Sequence, residues 1–220
     1  MSNTLSFLFA IPATLLAICI HEFSHAYVSY LLGDRKIKEE GRMSLNPLKH
    51  LDPIGAFCLV VFHFGWARPV KVDASAYKHR KIGFFLVSAA GPLSNFLVAA
   101  IAVLAEVGLS LFMGASIHKG FFVYLFLYVA LVNIGMGVFN LIPVPPLDGS
   151  NMLFTILPSN LSKKIMLVSR YYPFLLFFVI YGLTYVFSTQ IGSLDYAIYS
   201  WMIEKVLRLF GIAITGSPIM

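Results

Sequence analysis

The chain has 220 residues, 59% of them hydrophobic and only 12% charged, with 20 Phe. That leaves too little polar side chain to cover a water-soluble globule, so an ordinary soluble domain is excluded and a polytopic membrane protein is implied. The formal net charge of +6 sits mostly in connections between apolar segments. Contact with anionic membrane lipid and control of orientation account for it there, and no nucleic-acid partner is implied.

The first apolar stretch, Leu5 to Leu32, is longer than the roughly 20 helical residues that cross the hydrocarbon layer. No basic residue precedes it, and it carries His21, Glu22 and His25 in its later half. It is therefore expected to be a first membrane helix rather than a signal peptide. From Gly33 to Lys81 the character changes, with clustered Lys and Arg and recurring Gly and Pro. The short alternating pieces Arg42 to Leu45 and Pro69 to Val72 read as small strands or edge segments, giving a small membrane-associated β element. Between them, Ile54 to Trp66 is apolar but too short to span, and is expected to be re-entrant or interfacial.

A second span runs from about Ile82 to Phe112, interrupted by Gly91-Pro92. The carbonyl freed by Pro92 needs a protein partner, so this point should face another helix. The third span, Phe121 to Ile142, ends at Pro143, and a short helix from Gly149 to Leu157 follows. Tyr171 to Phe187 can form a fourth span. Residues 196–211 are ambiguous between an interfacial helix and a short fifth span, with Ile198, Trp201, Met202 and Leu209 on one face and Glu204 and Arg208 on the other. The expected fold is thus a polytopic all-α membrane protein: a three-helix core within residues 1–158 that includes the 33–81 region, then one or two C-terminal helices within 159–220. With the amino terminus outside, the 33–81 and 143–170 loops are cytoplasmic and hold 13 of the 16 Lys and Arg residues, the positive-inside pattern of a multi-pass plasma-membrane protein. Cys19 and Cys58 have neither metal nor disulfide spacing and read as packing residues.

His21-Glu22-Phe23-Ser24-His25 is an H-E-x-x-H sequence on a helix. The histidines, four residues apart, share one face and can both ligate zinc, while Glu22 can take a proton from metal-bound water. Zinc makes that water a nucleophile and polarises the peptide carbonyl. Three ionisable side chains inside an apolar span are costly unless they face a cavity, a partner or a functional centre. A metal-binding transporter or chaperone without proteolysis would use the same helix, so hydropathy leaves that alternative open.

The chain resembles the site-2 protease family of intramembrane zinc metallopeptidases, in its short bacterial branch without a PDZ domain. The resemblance rests on His21, Glu22 and His25 paired with Leu147-Asp148-Gly149. It is supported by Gly41-Arg42, Leu45-Asn46-Pro47-Leu48, His50, Asp52-Pro53, Phe64-Gly65-Trp66, Pro69-Val70, Ala90-Gly91-Pro92-Leu93-Ser94-Asn95 and Asn140-Leu141-Ile142-Pro143. It covers about residues 8 to 158.

What the resemblance implies is zinc-dependent endoproteolysis of a transmembrane or membrane-anchored protein, in a segment that has been locally unwound. The two strand-like pieces could offer substrate an edge. Asp148 would be the third zinc ligand, completing the usual three protein ligands, with Gly149 letting backbone pass close to the metal. The other reading of Asp148 is an N-cap of the short helix. Cobalt or manganese could substitute for zinc. Asn140 would orient substrate or donate to the oxyanion. Asn95 reads as structural, and His50 as either a turn residue or a substrate contact.

Overall fold

A computed structural model describes residues 3–62, 67–113, 120–171 and 196–208. Its frame is three long helices, α1 (Asn3–Leu31), α4 (Arg80–Met113) and α5 (Phe121–Leu141). All three are long and apolar enough to cross a membrane. Between the first two lie α2 (Lys36–Glu39) and α3 (Pro53–Phe62), and after α5 come α6 (Asp148–Ile156) and α7 (Ser159–Tyr171). A further helical stretch covers 196–208. The chain is a multi-pass membrane protein.

The three spans pack on one another through small and β-branched side chains. Ala13 of α1, Ala102, Val103 and Val107 of α4, and Val129 and Ala130 of α5 form one buried cluster, joined by Val206 from the last helix. Small side chains let helix backbones approach where lipid tails give no hydrophobic drive for association. Large residues point outward instead: Leu93, Leu97 and Ile101 of α4 are each more than half exposed, the surface a hydrocarbon solvent accepts and water does not.

The expected β element is absent. Among the described residues there is no strand, and β-type pairing is limited to one isolated antiparallel bridge between Leu51 and Ala67. The cause is competition for backbone groups. Residues 42–45 turn back on themselves, with Arg42 N–H donating to the Ile37 carbonyl and Ser44 N–H to that of Arg42. The Ser44 carbonyl is taken by His50 Nε2. In the second piece Pro69 has no N–H, the Arg68 and Pro69 carbonyls accept from the Arg42 guanidinium, and the Val70 N–H goes to Glu22. Side chains have taken the groups a ladder would need.

Other expectations fare differently. The interfacial piece after Pro53 is helix α3, while residues 63–66 and the predicted fourth span, 172–187, lie outside the described set. Residues 159–171, read as loop, form α7. In 196–208 the inward face is Tyr199, Met202, Ile203, Val206 and Leu207. Trp201, placed on the apolar face beside Met202, is 59% exposed, with the Lys205 ammonium 5.9 Å from its ring centre. This helix is fastened by Tyr199, whose hydroxyl reaches both carboxylate oxygens of Glu106 in α4 at 2.7 and 2.8 Å.

Tyr199→Phe should therefore leave a buried carboxyl without its donor and cost about 1–3 kcal/mol. Thermal unfolding in detergent should show a lower midpoint than the unaltered chain. Adding Glu106→Gln to Tyr199→Phe should cost less than the sum of the two single changes.

Candidate metal centre

α1 runs without interruption through His21, Glu22 and His25, so one helical turn sets the spacing of the two imidazoles. All three side chains are buried. The chain returns to them through the break after α5. Pro143, Pro145 and Pro146 cannot continue that helix, and the connection turns so tightly that a Cβ on Gly149 would strike the Leu141 carbonyl and come within 2.6 Å of the Ile142 carbonyl oxygen. From sequence this glycine is expected to let backbone pass close to the metal; the contacts seen are with the backbone of the turn. The residue that makes the close approach is Gly91: a Cβ on it would sit 2.5 Å from His25 Nε2 and 2.7 Å from His21 Nε2. Gly91-Pro92 does face another helix, the one bearing the histidines, but α4 runs through it unbroken rather than being interrupted there.

The result is a three-donor cluster of His21, His25 and Asp148, with ligand atoms all within 4.8 Å of one another. His21 Nε2 lies 3.0 Å from Asp148 Oδ2 and His25 Nε2 lies 3.1 Å from it. The two Nε2 atoms are 3.0 Å apart. Asp148 is the first residue of α6, and the residue before it, Leu147, makes no side-chain cap. The carboxylate faces the imidazoles instead of capping the helix.

The outer ring nitrogens decide what the inner ones can do. His25 Nδ1 is 2.7 Å from the Val87 carbonyl, a pure acceptor, so it carries the hydrogen. His21 Nδ1 is 2.6 Å from Asn95 Oδ1. The orientation of that amide is set by a chain: Asn133 Nδ2 donates to the Val129 carbonyl at 2.8 Å, leaving its oxygen to accept from Asn95 Nδ2 at 2.9 Å. Asn95 Nδ2 also reaches the Ala17 carbonyl. Asn95 therefore presents oxygen to His21, and His21 Nδ1 donates.

With their outer nitrogens so engaged, the two imidazoles turn Nε2 toward a carboxylate oxygen in one small volume. Three such donors form a set that suits a divalent cation. Tetrahedral zinc with bonds of ~2.0–2.1 Å would hold its donors about 3.3 Å apart, within a few tenths of an ångström of the separations found. The residues fit the metal.

Glu22 lies beside this cluster, and its Oε2 accepts from Val70 N–H at 2.8 Å. Asn140 is not in the cluster; at the end of α5 it is half-buried and its amide donates to the Met136 carbonyl. His50 is fully buried in the connector, with Nε2 on the Ser44 carbonyl and Nδ1 without a partner among the described residues. Asn133 was not singled out from sequence, although an amide in the middle of an apolar span is the signal that could have found it.

The family profile described as peptidase family M50 matches residues 107–180, a range that contains Asp148 but not the histidines. Along most of the chain the similarity is to YwhC of Bacillus subtilis, whose name assigns it provisionally to the zinc metalloproteases. That match is 35% identical over 202 residues, covering 89% of this chain and 88% of YwhC. Rip2 of Mycolicibacterium smegmatis, named in the same way, is 29% identical over 153 residues, covering 67% of this chain and 56% of Rip2. Its counterpart in Mycobacterium tuberculosis is 27% identical over 147 residues, or 65% of this chain and 55% of that protein. No solved structure matches the chain. A multi-pass helical bundle with a buried His-His-Asp cluster is the build of an intramembrane metal-dependent hydrolase. The chain belongs to peptidase family M50 and is an intramembrane zinc metalloprotease.

Two substitutions test the cluster's supports. Asn95→Ala should weaken zinc binding about 10–100-fold by releasing His21 Nδ1, and Gly91→Ala should lower zinc content further by driving a methyl group into both rings. Metal analysis of detergent-purified protein at a buffered zinc concentration measures both, and full zinc retention in either variant would count against this account of the site.

Proposed function

We propose that this metalloprotease hydrolyses peptide bonds of transmembrane or membrane-adjacent protein segments, with His21, His25 and Asp148 as its metal ligands and Glu22 as its general base. What supports the reading is the convergence of three electron-pair donors beside a carboxylate on the same turn of α1. Zinc bound there supplies Lewis acidity toward the scissile carbonyl and lowers the pKa of water. Glu22 takes the proton of the attacking water at a carboxylate oxygen as the new C–O bond forms. It passes that proton to the amide nitrogen as the C–N bond breaks, so the carboxylate ends as it began.

Asn140 sits at the end of α5 just before the proline-rich turn that carries Asp148. Released from the Met136 carbonyl, its amide can donate to the carbonyl oxygen on which charge develops. A substrate helix has its peptide groups engaged in its own hydrogen-bond ladder. The segment that is cut must therefore open locally before Glu22 and the metal can act on it. Lipid surrounds both enzyme and substrate, so recognition begins laterally, between helices.

Glu22→Gln should lower turnover of a cleaved membrane substrate by about 10²–10⁴-fold while leaving zinc content intact. Asp148→Ala should lose zinc and Asp52→Ala should keep it. Asn140→Ala should lower kcat with zinc and folding unchanged. Zinc stoichiometry and initial rates on matched detergent preparations decide each point, and tight zinc with normal turnover in Asp148→Ala would remove that ligand from the scheme.

A further inference from the structure

Within the connector between α1 and α4, one arginine ties two stretches of backbone together. Arg42 points its guanidinium at three carbonyls. One terminal nitrogen donates to Lys49, and the other donates to Arg68 at 2.6 Å and to Pro69 at 3.2 Å. These carbonyls belong to two chain segments far apart in sequence. The Arg68 N–H donates to the His50 carbonyl at 2.7 Å, so residues 68–69 are gripped from both sides. The next residue is Val70, whose N–H is the donor to Glu22 Oε2.

We infer that Arg42 is a positioning residue for peptide hydrolysis: by clamping the Arg68 and Pro69 carbonyls it fixes the Val70 N–H, which in turn aims the Glu22 carboxylate. The inference rests on Glu22 being the general base. A planar fork with donors in fixed directions can bridge carbonyls of two segments, whereas an ammonium on a flexible stem cannot hold the same geometry. Glu22 rises from a helix whose neighbours His21 and His25 are fixed by α4, but the structure gives its carboxylate no hydrogen bond from α4 or α5 among the described residues. Its recorded restraint is the Val70 N–H. Glu22 is thus held from the connector side, separately from the metal ligands. The Arg42 charge also lies within electrostatic reach of Glu22, so the clamp has to be distinguished from a plain charge effect.

Val70→Pro deletes the N–H and leaves Arg42 in place, while Arg42→Lys keeps the charge and loses the fork. Full-length enzyme in detergent is assayed with a fluorogenic peptide that the unaltered enzyme cleaves. Arg42→Gln, Arg42→Lys and Val70→Pro should each lower kcat at least tenfold, with KM within twofold and zinc at the unaltered level. The double variant Arg42→Gln/Val70→Pro should be no slower than the worse single. Multiplying effects in the double variant would mean independent roles and overturn the inference, as would normal turnover in Arg42→Lys or loss of zinc with Arg42→Gln. Should Arg42→Gln fail to fold, Arg42→Lys and Val70→Pro decide together by the same kcat and zinc criteria. Glu22→Gln runs alongside: turnover surviving it defeats the general-base reading itself, whereas an inactive Glu22→Gln beside normal Arg42→Gln and Val70→Pro defeats only the clamp.

Discussion

Two imidazole nitrogens and a carboxylate oxygen within about 3 Å of one another, among apolar helices, form a donor set matched to a cation. Much of the surrounding structure follows from that constraint. Each histidine must keep its hydrogen on the outer nitrogen, so each needs an acceptor behind it: a backbone carbonyl for His25 and the oriented Asn95 amide for His21. The cluster also needs room, which is why α4 passes it at Gly91. The carboxylate must come from a third element at the same depth, which the proline-rich reversal between α5 and α6 provides. A side-chain-free point in α4 and a break after α5 thus serve one cluster.

The site is built from two sides. From within the bundle, α4 and α5 hold the donor cluster through the chain of amides from Asn133 through Asn95 to His21. From the connector, the backbone at Val70 meets Glu22. The connector itself is anchored by buried polar groups rather than by a sheet: Asp34, at the end of α1, accepts from Ser29 and from the Asp73 N–H, and Tyr77 meets Ser29 at 2.6 Å. The proposed ligand set and the proposed base are therefore held separately, although they share one helical turn.

What the sequence made legible was whatever is local. Three spans could be read from hydropathy because length and apolarity are set by the bilayer, and the pairing of His21 with His25 because four residues make one turn. The location of Asp148 at the site depended on a motif resemblance, since nothing local connects it to α1. Gly91 could be read as an interruption but not as the place where the histidine rings pass, and Asn133 drew no attention because its partner lies on another helix. The strands failed for the converse reason. Alternation in Arg42 to Leu45 and Pro69 to Val72 is a genuine local preference, but the Arg42 and Glu22 side chains capture the backbone groups that pairing requires.

Depth along α1 connects these parts to the chemistry. At 1.5 Å per residue, His21 lies about 15 Å and His25 about 9 Å from the end of the helix at Leu31, so the pair spans from the middle of a hydrocarbon layer ~30 Å thick toward its Leu31 side. Hydrolysis consumes water, and water must reach that depth from the nearer side, the side where the polar connector leaves α1 and returns to α4. The opposite half of the bundle is closed by the apolar cluster around Ala13, Val103 and Ala130. In the proposed mechanism, a peptide segment arriving laterally from lipid therefore meets water, Glu22 and the His-His-Asp cluster together at the connector end. There its helix can open without leaving its backbone groups unsatisfied in hydrocarbon, which makes the polar connector as much a condition of the chemistry as the ligands themselves.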